Sequence, residues 1–183
     1  MCFKCKKKFE FNLHKTSILN YNHFYFSHYT SDLKKLFFCI KFQFNKHLLI
    51  EFSKLFLLRN IDLNLKGYDY YVQIPYHKSR LKARGYNVLD YLFDFLETKY
   101  SLKKIPLLTR KKSTKSLSLY KKLDRSIILD DIFELNPVHI KPNTKILLVD
   151  DIVTTQSTMK AALKILSDVS SIETISCLSI IKV

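Results

Sequence analysis

The chain predicts an α/β fold, a mainly parallel twisted sheet flanked by helices, and three observations predict it. Short apolar stretches alternate along the chain with segments whose apolar residues recur at helical spacing. The stretch Lys145 to Val149 is continuously apolar after its first residue, as a strand covered on both faces should be. Hydrophobic residues make up 47% of the 183 residues, enough for one full α/β domain with a buried core and a small appendage.

The elements follow in order. Residues 1–17 are basic and carry cysteines, and they open an N-terminal extension placed at 1–30, ahead of a main domain at 31–183. Ser31 to Lys41 reads as a helix capped by Thr30 or Ser31, with Leu33, Leu36, Phe37 and Ile40 on one face. Asn45 to Leu58 reads as a second helix. Tyr70 to Ile74 is a strand stopped by Pro75, which has no N–H for a ladder. Asn87 can cap a helix in which Val88, Tyr91, Leu92, Phe95 and Leu96 recur at helical spacing. Ile105 to Leu108 is a short buried strand, and Arg110 to Tyr120, rich in Lys and Ser without periodicity, reads as a mobile loop. After the strand Lys145 to Val149, a helix from about Thr158 buries Met159, Ala162, Leu163 and Leu166, and Ile172 to Ile181 supplies a last strand.

Charge is uneven. The formal net charge is +15, yet residues 76–125 alone carry net +10 while residues 126–183 carry −2. Abundant Lys, Phe and Tyr with only two Gly is what an AT-rich genome would write, but such a bias acts evenly along a chain. Four of the five Arg (Arg80, Arg84, Arg110 and Arg125) lie in the basic middle segment, and their planar forks suit phosphate. Cys2, Cys5, Cys39 and Cys177 form no disulfide framework. The N-terminus is charged without a following apolar block, and no apolar run is long enough to span a bilayer. A cytoplasmic protein without membrane insertion is expected.

The segment that carries chemistry is Lys145-Ile146-Leu147-Leu148-Val149-Asp150-Asp151-Ile152-Val153-Thr154-Thr155-Gln156-Ser157-Thr158. A buried strand delivers adjacent carboxylates at its C-terminal end, where open α/β sheets bind ligands. A hydroxyl-rich turn follows, and then a helix whose free N–H groups and dipole favour phosphate. Asp150 and Asp151 are good acceptors for two ribose hydroxyls, while Thr154, Thr155, Ser157 and Thr158 supply donors for a 5-phosphate. The plainer alternative is a strand whose carboxylates only cap the helix, but a cap needs fewer polar groups than this segment carries.

This segment resembles the signature of type I phosphoribosyltransferases that binds 5-phosphoribosyl 1-diphosphate (PRPP): an apolar strand, two acids, two apolar residues, then Thr-Thr-Gly-x-Thr or similar. Upstream, Ile74-Pro75-Tyr76-His77-Lys78-Ser79-Arg80-Leu81-Lys82-Ala83-Arg84-Gly85-Tyr86-Asn87 resembles the Pro-x-His-x-x-Arg-x-x-x-Arg-Gly-Phe-Asn stretch of the ComF family of competence proteins. Thr114 to Phe133, with Arg125 and Phe133, is similar to that family's variable middle, so the resemblance covers residues 33–183. It implies a type I phosphoribosyltransferase fold, PRPP as ligand with Mg²⁺ as cofactor, and transfer of the phosphoribosyl group to an unidentified acceptor with release of pyrophosphate. It also implies a link to DNA uptake in natural transformation and to the uptake machinery. On this resemblance Asp150, Asp151 and Arg110 are the candidate catalytic residues. Ile152, Val153, Thr154, Thr155, Gln156, Ser157 and Thr158 form the phosphate loop, and Lys78, Arg80 and Arg84 join Arg110 around pyrophosphate. A non-catalytic alternative stays open: a module that senses PRPP or binds single-stranded DNA through Lys111, Lys112 and Lys115, with Tyr76 or Tyr86 stacking on bases.

Three departures from the resemblance carry expectations of their own. Gln156 stands where the signature has Gly, and a positive φ there costs a non-glycine residue about 1 kcal/mol. Ser116 stands where the family's middle block has Gln. Cys2-x-x-Cys5 supplies half of the family's four-cysteine zinc ribbon, but the second half reads Leu13-His14-Lys15-Thr16-Ser17. The extension is therefore expected to be a degenerate zinc-ribbon-like segment in which Cys2, Cys5 and His14 are remnants and zinc is not held.

Overall fold

The computed structural model describes residues 9, 11–58, 63–65, 67–111 and 132–183. Cys2, Cys5, Lys112, Lys115, Ser116, Tyr120 and Arg125, together with most of the expected loop at 110–120, lie outside the described residues.

Helices α1 (Ser31–Phe42) and α2 (Lys46–Leu58) begin where side chains can satisfy their free N–H groups. Thr30 Oγ1 accepts from the Leu33 N–H at 3.3 Å, and Asn45 Oδ1 accepts from the Leu48 N–H at 2.9 Å. Their inward faces bury Leu33, Leu36, Phe37 and Ile40 on α1, and Leu49, Phe52, Leu55 and Phe56 on α2. Strand β3 (Tyr70–Gln73) stops short of Pro75. Asn87 caps the next apolar helical stretch, its Oδ1 accepting from the Leu89 N–H at 3.1 Å. That stretch is two helices, α4 (Val88–Leu92) and α5 (Asp94–Tyr100), separated at Phe93; α3 (Lys78–Arg84) precedes them. Helix α6 (Ser157–Ser167) buries Met159, Ala162, Leu163 and Leu166, as the spacing predicts.

The main sheet runs β1-β2-β8-β7-β3-β4, with β1 (His14–Ile18), β2 (Tyr21–His28), β4 (Lys103–Lys104), β7 (Thr144–Val153) and β8 (Ile172–Lys182). Every neighbouring pair is parallel except the β1–β2 hairpin. The α/β class with a mainly parallel sheet is thus the one expected. Residues 14–28, placed by sequence in an N-terminal extension, supply two strands of this same sheet, since β2 pairs with β8 from His23–Cys177 to His28–Lys182. Phe26 of β2 is fully buried, its ring 5.2 Å from that of Phe56 and 6.0 Å from that of Phe95.

The short strand expected at Ile105 to Leu108 does not form over that range: residues 105–107 are irregular, and only Leu108 belongs to a strand. Lys103–Lys104 pairs with β3 at the edge of the main sheet, whereas β5 (Leu108–Arg110) pairs antiparallel with β6 (Phe133–Leu135) in a separate small sheet. Pro106 stands between them and has no N–H with which to continue a ladder.

Side chains of β7 alternate between two cores, as the strand's period of two requires. Leu147 and Val149 pack with α1, α2, α4 and α5 on one face; Ile146 and Leu148 pack with α6, β5 and β6 on the other. From β3 the chain moves outward to β4, and from β7 it moves the opposite way to β8. The direction therefore reverses between β3 and β7, and a crevice at the C-terminal ends of these strands is where such sheets bind ligands. Among the described residues no helix is long and apolar enough to cross a membrane.

Candidate functional site

The turn between β7 and α6 comprises Thr154, Thr155 and Gln156. Gln156 is the N-cap residue and sits in the left-handed region, at φ 62° and ψ −4°. The signature glycine thus corresponds to a position whose backbone needs a positive φ, and Gln156 adopts it at a cost of about 1 kcal/mol. Its side chain makes no capping bond, although its carbonyl accepts from the Lys160 N–H at 2.8 Å. The first turn of α6 holds no acidic residue, and the hydroxyls of Thr155 and Ser157 lie 3.0 Å apart. Together with Thr154 and Thr158 they line a small cleft at the helix N-terminus that also touches Asp150.

A second cavity of about 200 Å³ adjoins this cleft, sharing Asp150 and Thr158 with it. Its other walls are Lys41 from α1, Ile74 and Tyr76 from the chain after β3, Arg80 from α3, Arg110 at the end of β5, and Asp151. The crevice at the strand-order reversal is therefore polar, with cations and carboxylates brought together from four separate elements.

The adjacent acids differ because consecutive strand residues point to opposite faces. Asp151 is 3% exposed, and both its oxygens lie 2.8 Å from Lys41 Nζ. The Tyr76 hydroxyl also donates to Asp151 Oδ2. Burial and the charges of Asp151 and Asp150 raise the Tyr76 pKa well above its usual value, so the phenol stays a neutral donor. Asp150 is half-buried on the other side, its Oδ1 accepting from the Asp151 N–H at 2.8 Å. Burial, and then the Asp151 charge, push its pKa up to about 7, against the opposing pull of Lys41, that N–H and Arg110. Burial and the neighbouring Arg80 lower the pKa of Arg110, whose guanidinium lies 5.6 Å from the Phe133 ring centre.

The Arg84-Gly85-Tyr86-Asn87 block is held by its own structural chemistry. Gly85 ends α3 at φ 76°, its N–H bonded to the Leu81 carbonyl, and Asn87 opens α4. Arg84 Nη2 donates to the Lys41 carbonyl at 3.1 Å and its guanidinium lies 5.3 Å from the Tyr76 ring centre. The Tyr86 hydroxyl donates to the Ile40 carbonyl at 2.9 Å. This block pins the end of α1 beside the crevice.

Among the expected residues, the structure gathers Asp150, Asp151, Arg80, Arg110 and Thr158 around one cavity, with Thr154, Thr155, Gln156 and Ser157 beside it. Ile152 and Val153 line the cleft while packing into the core, as strand residues. Lys78 is exposed on α3 and, like Arg84, lines neither cavity. Arg84 supports Lys41 and Tyr76 instead. His77 caps α3, accepting from the Ser79 N–H. Lys111 pairs with Glu134 at 3.2 Å. His14 stacks on Tyr25 at 4.9 Å, and no group of three His, Cys, Asp or Glu among the described residues could hold a metal ion. Sequence reasoning missed Lys41, which reads as an ordinary basic residue in the last turn of a helix. A larger groove of about 630 Å³ opens between α2 and α4–α5, beside Lys46, Ser53, Asn87, Asp90 and Tyr91, and contains no phosphate-loop residue.

No protein-family model matches the chain, and no curated protein sequence matches it. Among solved structures it is similar to adenine phosphoribosyltransferases. The Saccharomyces cerevisiae enzyme, solved with adenine and an imino-altritol bisphosphate, aligns over 100% of this chain and 90% of its own at 14% identity and a TM-score of 0.44. The Leishmania donovani enzyme aligns over 79% and 68% at 8% identity and a TM-score of 0.42, and that of Leishmania tarentolae over 74% and 69% at 8% identity and 0.38.

Proposed function

We propose that the crevice between β3 and β7 binds PRPP and that the protein is a phosphoribosyltransferase of the type I, ComF-like kind. The observation that carries this reading is the junction of two anion-suited sites across one carboxylate. The α6 N-terminus with its hydroxyls suits a 5-phosphate, the cavity lined by Arg80 and Arg110 suits a diphosphate, and Asp150 lies between them, where ribose hydroxyls would be.

In the proposed reaction a nucleophile on the acceptor forms a bond to the anomeric carbon as the bond to pyrophosphate breaks. Positive charge grows on the sugar ring and negative charge on the leaving group. The work of the protein is positioning and charge compensation. Asp150 and Asp151 orient the ribose, the phosphate loop anchors its 5-phosphate, and Arg80 and Arg110 take the charge of the departing pyrophosphate. Mg²⁺ is usually held by one or two carboxylates plus substrate phosphates and waters, so a cluster of protein ligands is not needed. Asp150 fits that role: it is half-buried and, among the described residues, accepts from one backbone N–H rather than from a cation. Bound there with the diphosphate, Mg²⁺ would supply further charge neutralisation.

The experiment is calorimetric titration of the full chain with PRPP and Mg²⁺, followed by a pyrophosphate-release screen across bases and amines. Saturable PRPP binding supports the reading, and its absence overturns it. Binding without turnover on any acceptor favours the non-catalytic alternative, a PRPP sensor. The net +10 of residues 76–125 favours a further role in the cytoplasm, contact with single-stranded DNA during uptake.

A further inference from the structure

Lys41 belongs to none of the motifs, yet its ammonium occupies the carboxylate proposed to hold the ribose. Its Nζ lies 2.8 Å from each oxygen of Asp151, and the Tyr76 hydroxyl adds a third donor contact. A carboxylate offers about four acceptor positions, so little capacity remains for a sugar hydroxyl. Asp151 cannot fully accept a ribose hydroxyl until Lys41 withdraws from at least one oxygen.

Withdrawal is mechanically possible. The backbone at the end of α1 is pinned by the Arg84 bond to the Lys41 carbonyl and the Tyr86 bond to the Ile40 carbonyl, so movement falls to the side chain. That side chain is a flexible four-carbon stem with three rotatable donors, 19% exposed, on the wall of the 200 Å³ cavity. Withdrawal also has a cost. A largely buried ammonium that leaves its carboxylate needs another anion close by. Ribose 5-phosphate brings its only anionic group to the α6 end of the site and offers Lys41 nothing. A sugar with a diphosphate at the anomeric carbon places an anion in Lys41's own cavity.

We propose that Lys41 is a specificity-determining residue that makes the site selective for a ribose phosphate bearing an anionic group at its anomeric carbon. The proposal rests on the PRPP reading. In the free protein Lys41 contacts both oxygens of Asp151; on binding, the ammonium transfers to the diphosphate and Asp151 is released to the ribose. Arg80 and Arg110 attract the diphosphate in either state, while Lys41 couples that attraction to the availability of Asp151.

The test compares the dissociation constants of PRPP and ribose 5-phosphate, each with Mg²⁺, for the parent chain, Lys41→Met, Lys41→Gln and Lys41→Arg. The parent should prefer PRPP. In Lys41→Met that preference should fall about tenfold or more, through weaker PRPP binding together with tighter binding of ribose 5-phosphate. Lys41→Arg, which keeps the charge, should retain the preference. Lys41→Gln keeps a donor for Asp151 without the charge, so it preserves the local bonding if Lys41→Met fails to fold, and its preference should fall as well. An unchanged ratio in a folded neutral variant would make Lys41 a fixed counterion and overturn the proposal. A parent chain that binds no PRPP overturns the functional reading itself, and this proposal with it.

Discussion

Lys41 and Asp151, 110 residues apart in sequence, form a two-oxygen ion pair at 2.8 Å beneath the crevice. The pair divides two carboxylates that look equivalent in sequence, leaving Asp151 enclosed at 3% exposure and Asp150 half-buried beside the cavity.

Asp151→Asn and Asp150→Asn should both abolish PRPP binding, but they should differ in stability. Asp151→Asn strands a largely buried Lys41 and should cost about 3 kcal/mol. Asp150→Asn replaces a half-buried carboxylate that accepts from a backbone N–H rather than from a cation, and should cost under about 1 kcal/mol. Urea unfolding of the two variants measures the gap. Equal losses would mean that the ion pair contributes nothing measurable.

Gln156→Gly should raise stability by about 1 kcal/mol, because the left-handed conformation at φ 62° suits glycine. Its effect on affinity should be small. The loop already holds this conformation in the free protein, so the strain is common to the free and bound states. Ribose 5-phosphate binding should stay within about twofold of the parent. A clear loss of affinity would show that the Gln156 side chain contacts the phosphate itself.

The pH dependence of stability has two opposed contributors. Asp150 is pushed from 3.8 up to about 7 by burial and by Asp151, so the native state keeps a proton that the unfolded chain has released. Its contribution is fully present below pH 3.8 and is lost as pH rises through about 7, at up to about 1.4 kcal/mol per pH unit. His23 acts in the other direction. It is fully buried, its Nε2 lies 2.9 Å from Ser179 Oγ, and burial with the nearby Lys182 charge lowers its pKa from 6.5 to about 4. Its contribution is present above pH 6.5 and is lost as pH falls through about 4. Asp150→Asn should therefore unmask His23, giving stability that rises with pH between about 4 and 6.5. In the parent the two slopes offset each other across that window, so a variant whose profile stays as flat as the parent's would show that Asp150 is not the opposing group.

If the basic middle segment tracks DNA, affinity for single strands should fall steeply with salt. Replacing Lys111, Lys112 and Lys115 with Ala should flatten the slope of log K against log salt by about two to three units. Lys111 already faces Glu134 at 3.2 Å, so its share should be the smallest when each lysine is replaced singly. An unchanged slope in the triple variant would remove this segment from any DNA surface, and saturating PRPP that leaves DNA affinity intact would separate the two sites.

Local rules made much of the fold legible. Thr30 and Asn87 are caps wherever a helix starts after them, and the apolar spacing of α1 and α6 marks the faces they bury. The run from Lys145 to Val149 announces a strand covered on both sides, and the hydroxyl-rich turn after its carboxylates announces an anion-suited helix start. Even the demand for a positive φ at Gln156 was legible, since the resemblance places glycine there and the backbone meets the requirement.

Other features had no local signature. Ile105 to Leu108 is apolar enough for one strand, but the strands form on either side of Pro106, at Lys103–Lys104 and from Leu108 onward, in two sheets with different partners. Residues 14–28 look like an appendage until β2 finds β8 some 150 residues later. Lys41 looks like any lysine at the end of an amphipathic helix, and Arg84 like one more phosphate ligand, until packing sets Lys41 on Asp151 and Arg84 on the Lys41 carbonyl. Sequence by itself determined what depends on neighbours along the chain: caps, periodicity, turn chemistry and the adjacency of Asp150 and Asp151. Tertiary structure alone decided which of those carboxylates stays free for a ligand, because burial and charge pairing depend on groups brought together from distant segments.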